Sequence, residues 1–114
     1  MKISLGRIVH YVLTSNDAAW INGRRDPFRE RAVVANGTQY HYGNHAAGGD
    51  IFPMIVTRIW PGATGVNGQV LLDGNDVQWV TSAKEDTETD PAKYTLGTWH
   101  WPPCVEGAPF FEEI

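Results

Sequence analysis

IFPMIVTRIWPGATGVNGQVLLDGNDVQWVTS, residues 51–82, is the stretch that decides the fold. Residues 51–60 read as a strand with apolar side chains on both faces. Pro53 cannot donate to a ladder, so it belongs at the start of that strand or on an edge. Residues 61–68 read as a turn-rich link. Residues 69–74 and 77–82 read as two further strands. Asp73-Gly74 and Asn75-Asp76 accept tight-turn conformations and close these two into a hairpin. A β-meander is the result.

Working outward, residues 6–13 (GRIVHYVL) read as a strand with Val9, Tyr11 and Leu13 on one face and Ile8, His10 and Val12 on the other. At the far end, residues 94–103 (YTLGTWHWPP) read as a last strand, with Trp99 and Trp101 on one face and His100 on the other. Residues 83–93 form a charged loop, and the acidic tail 104–114 is expected to be flexible. These elements predict a mainly β protein with a small helical insertion: a small SH3-like, partly open β-barrel of about five strands. One domain spans residues 1–114, with a long insertion, 14–50, between the first and second strands.

Within the insertion, Ser15, Asn16 and Asp17 are N-cap residue types, and Ala18 to Arg25 suits a short helix. Gly23 weakens that helix and Pro27 ends it. Residues 28–35 fit a second short helix or a strand, and Asn36-Gly37 marks a turn.

The chain has 114 residues and a formal net charge of −4, which argues against a dedicated nucleic-acid binder. The lone Cys104 rules out an intramolecular disulfide and suits a reducing compartment. The first residues carry no small-residue cleavage site, and no segment reaches membrane-span length. A cytoplasmic protein is expected.

The residues bear on four chemistries. A metal site would draw on His10, His41, His45 and His100. His41 and His45 are four apart, but Gly43 lies between them and Gly48-Gly49 follow, so a helical ligand pair is not expected. Nothing in the sequence activates Cys104 or a serine as a nucleophile. Phosphate recognition has more support. Arg24, Arg25, Arg29 and Arg31 cluster in the insertion, and HAAGGD (45–50) suits an anion-binding backbone nest. The competing structural role for these arginines is pairing with Asp26, Glu30 and the acidic loops. Last, Trp20, Trp60, Trp79, Trp99, Trp101, Tyr40 and Tyr42 are many flat side chains for this length. Trp60 and the Trp99/Trp101 pair are the ones expected to be partly exposed.

RIVHYVL, INGRR, QYHYGN, GDIFPMIV, VNGQVLLDGNDVQWVTS and GTWHWPP together resemble a group of small proteins encoded by tailed phages and prophages. The resemblance runs from Gly6 to Pro103. It implies a phage setting and supplies no catalytic residues. Two roles fit that setting. The first is a non-enzymatic accessory protein that binds a small anionic ligand, such as a cyclic nucleotide immune signal, and sequesters it. Arg24 and Arg25 would meet phosphate, Tyr40 or Trp20 would stack, and His41, Asn44 and Asp50 would complete the pocket. A homo-oligomer is expected, with no cofactor, no metal and no membrane. The second role is a protein-binding or virion-assembly module using exposed Trp60, Trp99 and Trp101. A third, weaker role is a hydrolase using His41 or His45 with Asp50.

Overall fold

The computed structural model describes residues 2–34, 43–62 and 64–103, with side chains described up to Pro27 within the helix. Five strands, β1 (Ile8–Val12), β2 (Ile51–Ile59), β3 (Gly65–Leu71), β4 (Val77–Glu85) and β5 (Thr98–His100), follow one another around a barrel. Helix α1 (Ser15–Val34) leaves from β1 and a 3-10 turn, Pro91–Lys93, precedes β5. β1 to β4 pair antiparallel. β5 lies antiparallel to β1 and parallel to β4, the latter through only Lys84↔Thr98 and Glu85↔Trp99. The barrel expected to be partly open is therefore closed, and its closing seam is thin.

The alternation seen in the sequence becomes inside and outside. Val9, Tyr11, Met54, Val56, Val66, Val70, Val80, Ala83 and Trp99 fill the interior, with Leu13, Ala18 and Ile21 continuing the core under α1. Burying an aliphatic side chain of this kind stabilises by about 1.5–3 kcal/mol. Pro53 faces His10. Bonded pairs flank that position, since Val56 N donates to Arg7 O and Leu13 N donates to Asp50 O. Ladder alternation makes His10–Pro53 a non-bonded pair. Pairing with β3 begins only at Met54, so the missing N–H of Pro53 removes no ladder bond.

β3 starts earlier than its composition suggests. Residues 65–68, read as a link, are strand. A Cβ on Gly68 would stand 2.5 Å from Met54 Cγ, so only glycine lets the backbone lie over this core side chain. The register shifts here, and Ser82 adopts a φ of 54° opposite the shift while its N–H donates to Asn67 Oδ1.

α1 departs from expectation in the same direction. It is one helix of 20 residues that passes through both Gly23 and Pro27. Thr14 caps it: its Oγ1 accepts from Asp17 N, and the Asp17 carboxylate accepts from Thr14 N. This reciprocal pair is a capping box. Tyr11 Oη also donates to Asp17 at 2.7 Å, which ties the cap to the barrel interior. Burial and that bond push the Tyr11 phenol well above its usual pKa. The ring of Pro27 crowds the carbonyl of Gly23, four residues earlier. Anchors just before and within that turn hold the helix on course. Asn22 exchanges two hydrogen bonds with the Ala46 backbone, and Arg25 is clamped as described below.

Candidate functional site

Arg25 is 3 % exposed, although it sits on a helix and carries a charge. Its guanidinium grips Asp76 with two donors, Nε to Oδ2 at 3.1 Å and Nη2 to Oδ1 at 2.6 Å. A third donor, Nη1, reaches the carbonyl of Asn44. Arg24 adds a second cation to Asp76 at 3.3 Å and also donates to Gln78 Oε1 and Val77 O. Burial acts to raise the Asp76 pKa. The bonds and charge of Arg25, then those of Arg24, outweigh it and hold the carboxyl below its ordinary value.

The 43–50 loop closes this junction. Asn44 N and Nδ2 donate to Asp73 O and Oδ2. Gly43 has a φ of 92°, and a Cβ there would lie 2.6 Å from Asp73 O and 2.9 Å from Arg25 Cζ. A Cβ on Gly74 would come within 2.7 Å of Arg25 Nη2. Two glycine backbones thus lie close against one guanidinium. Asp50 is also engaged internally: Oδ2 accepts from Ala47 N, and its backbone pairs with Ala47 and Leu13.

The structure therefore unites Arg24, Arg25 and Asn44 at the β3–β4 hairpin, in a packed polar junction rather than a cavity. Asp76 is the carboxylate that Arg24 and Arg25 share, and Asp73 is the partner of Asn44. Asp50 stands apart, closing its own turn. Tyr40 and His41 lie outside the described residues, as do Tyr42, Cys104 and the tail. The side chains of Arg29, Glu30 and Arg31 lie outside those described. Trp20 is 69 % exposed and frames a shallow hollow of about 430 Å³ with Ala19, Gly23 and Arg24. His45 is exposed on the loop. Among the described residues, no three His, Cys, Asp or Glu side chains are grouped to hold a metal, and no helix is long and apolar enough to cross a membrane.

Two other surfaces were not picked out by sequence reasoning. The first is the outer face of the sheet. Ile8, Ile55, Gln69 and Trp79 stand in one row across β1 to β4. His10 pairs with Pro53 beside that row, Val12 with Ile51, and Leu71 with Val77. No Asp, Glu, Lys or Arg stands in these pairs. Ile8, Ile51, Leu71, Val77 and Trp79 are exposed, and Gln69 Oε1 is buried with no hydrogen-bond partner among the described residues. Of the tryptophans expected to be partly exposed at 99 and 101, Trp101 is half-buried as expected, whereas Trp99 is 2 % exposed in the core; their rings meet edge-on at 5.5 Å. Trp60 is exposed as expected, with the Arg58 guanidinium 4.5 Å from its ring centroid.

The second surface is a cleft of about 370 Å³ between the β4–β5 connection and β5. Glu85, Asp86, Glu88, Tyr94, His100 and Trp101 line it. Tyr94 stacks on His100 with centroids 3.8 Å apart, and His10 meets the same ring edge-on at 5.6 Å. Burial holds both imidazoles below their usual pKa. At His100 the neighbouring His10 adds to that effect and Asp86 opposes it. Hydrogen bonds from Thr95 N and Glu88 N hold Asp86 below the ordinary carboxylate value, against slight desolvation.

Comparison of the chain with protein-family models, curated proteins and solved structures found no match. Fold and surfaces define the class: a small closed β-barrel with a helical insertion.

Proposed function

We propose that this chain is a non-enzymatic protein-binding or assembly module of a phage or prophage, and that it works through the outer face of its sheet. One observation carries the reading: a contiguous, exposed and uncharged apolar face around Trp79, Val77, Leu71, Ile8 and Ile51. Exposed patches of this kind mark interaction surfaces. The first occupant is a second copy of the chain. With a net charge of −4, copies repel one another unless they meet where neither carries charge. The closed ring also discourages edge-to-edge strand pairing, so contact runs face to face. Sedimentation velocity over a range of concentrations tests this. Self-association that Trp79→Glu abolishes, with the fold intact by circular dichroism, supports it. A monomer at every concentration overturns it.

The second reading is a small anionic ligand, favoured by one observation: Trp20 and Arg24 frame one hollow. An indole face beside a guanidinium suits a nucleotide base and its phosphate. Arg25, Asn44 and Asp50, with internal partners, do not strengthen it. Thermal shift with a panel of cyclic nucleotides tests it. Stabilisation that Trp20→Ala and Arg24→Gln both remove favours sequestration, and no stabilisation by any member rejects it.

A further inference from the structure

His10 stands on the outer face of β1, paired with Pro53 of β2 and with His100 of β5. It is half-buried. The other members of the outer-face pairs are aliphatic residues, Pro53, Gln69 and Trp79. His10 is therefore the one group in that face able to gain a charge between about pH 5 and 8. Its neighbours along the sheet supply no counter-ion. Ile8 and Val12 flank it on its own strand, and β2 presents Pro53 between Ile51 and Ile55. β5 presents the ring of His100 edge-on at 5.6 Å, itself a base, with Tyr94 stacked on that ring. Asp86 is the carboxylate whose charge reaches this pair, and it acts on His100. Glu85 and Glu88 lie with His100 along the β4–β5 cleft. No acid forms an ion pair with His10 among the described residues.

We propose that His10 makes the apolar face a pH-sensitive interface: two copies join through it while the imidazole is neutral and separate when it is protonated. This rests on the reading of that face as the contact between copies. In a self-complementary contact the same patch is used twice, so both His10 rings enter the interface. A neutral ring there costs little, whereas an imidazolium must leave water without a partner and meets a like charge on the other copy. Burial already holds the His10 pKa below its usual value in the single chain, so the ring is neutral near pH 7 and joining lowers that pKa further. The bulk charge of the protein works in the opposite direction. Its isoelectric point is near 5.4, so the net charge of −4 shrinks on mild acidification and general repulsion between copies falls. Weaker association in acid thus points to a local group, and tighter association points to bulk charge.

Sedimentation velocity of the full chain at pH 7.5 and 5.5, at constant ionic strength, tests this, with circular dichroism reporting the fold at each pH. The dissociation constant should rise about tenfold or more at pH 5.5, because each of the two protomers takes up a proton on separating. His10→Gln, which stays neutral, should keep at pH 5.5 the affinity it has at pH 7.5. His10→Arg, which is always charged, should weaken association at pH 7.5 and so reads the effect of charge without acid. A monomer at pH 7.5 overturns the contact between copies and the switch with it. Copies that associate at pH 7.5 and as tightly or more tightly at pH 5.5 overturn the switch alone. Dissociation in acid that His10→Gln does not prevent, or full affinity in a folded His10→Arg chain, also overturns it.

Discussion

The Arg25–Asp76 junction and the β4–β5 cleft are built from similar material, charged side chains beside a hairpin or turn, and they end in opposite states. At the junction Arg25 makes three hydrogen bonds, and Asp76 meets two cations. Glycine backbones occupy the space a ligand would need. At the cleft the carboxylates face open volume and a buried imidazole nitrogen has no hydrogen-bond partner among the described residues. Polar groups that satisfy one another internally hold a fold together, while groups left with open valence are free to recognise something else. By that criterion the arginine-rich insertion, the obvious ligand site from sequence, acts mainly as an anchor.

Breaking the anchor should have the largest effect. Asp76→Ala leaves a buried guanidinium without its counter-ion and should destabilise by about 3 kcal/mol, read by chemical denaturation. Gly43→Ala comes next. It forces a Cβ into Asp73 O at a φ that L-residues avoid, and about 2 kcal/mol of lost stability is expected. Gly23→Ala, where a Cβ meets nothing within 4 Å, is the matched control and should not destabilise.

Acid should separate the two regions by pH. His10 and His100 have folded pKa values below 6.5, so the unfolded chain binds more protons in that range. Their contribution is complete above pH 6.5 and is lost as pH falls toward the folded values. Asp76 has a folded pKa below 3.8, so its contribution persists until acid titrates the carboxyl below that point. His10→Gln should flatten the first slope and leave the second. Smallest of all, Trp20→Ala should change stability by less than about 0.5 kcal/mol, because that indole is largely exposed.

Much of the barrel was legible because apolar, β-branched runs bounded by turn residues mark the strands, although β2 is apolar on both faces and β4 exposes Val77 and Trp79, so composition alone does not tell inside from outside there. Two features were not. The 65–68 segment has a turn's composition, yet Gly68 is there because Met54 lies beneath it. That requirement belongs to strand packing and leaves no local signal. The inward stripe of α1 is the buried Ala18, Ile21 and Arg25 with the half-buried Asn22, helical in spacing but half polar. Hydropathy therefore gives no amphipathic period, and Gly23 and Pro27 read as stops. The candidate sites depended still more on topology. Arg25 and Asp76 are 51 residues apart, and nothing local to either names the other. Glu85 and Glu88 read only as part of a charged loop until the closing seam sets Tyr94 and His100 beside them.

The central claim is that Arg25 and Asp76 form one structural unit, and a double-mutant cycle tests it most directly. Stability would be measured for Arg25→Met, Asp76→Ala and the double variant. The predicted result is a coupling of about 2 kcal/mol or more, with the double variant losing far less than the sum of the two single losses. Losses that add to within about 0.5 kcal/mol would contradict it and return Arg25 to the residues free to bind a ligand.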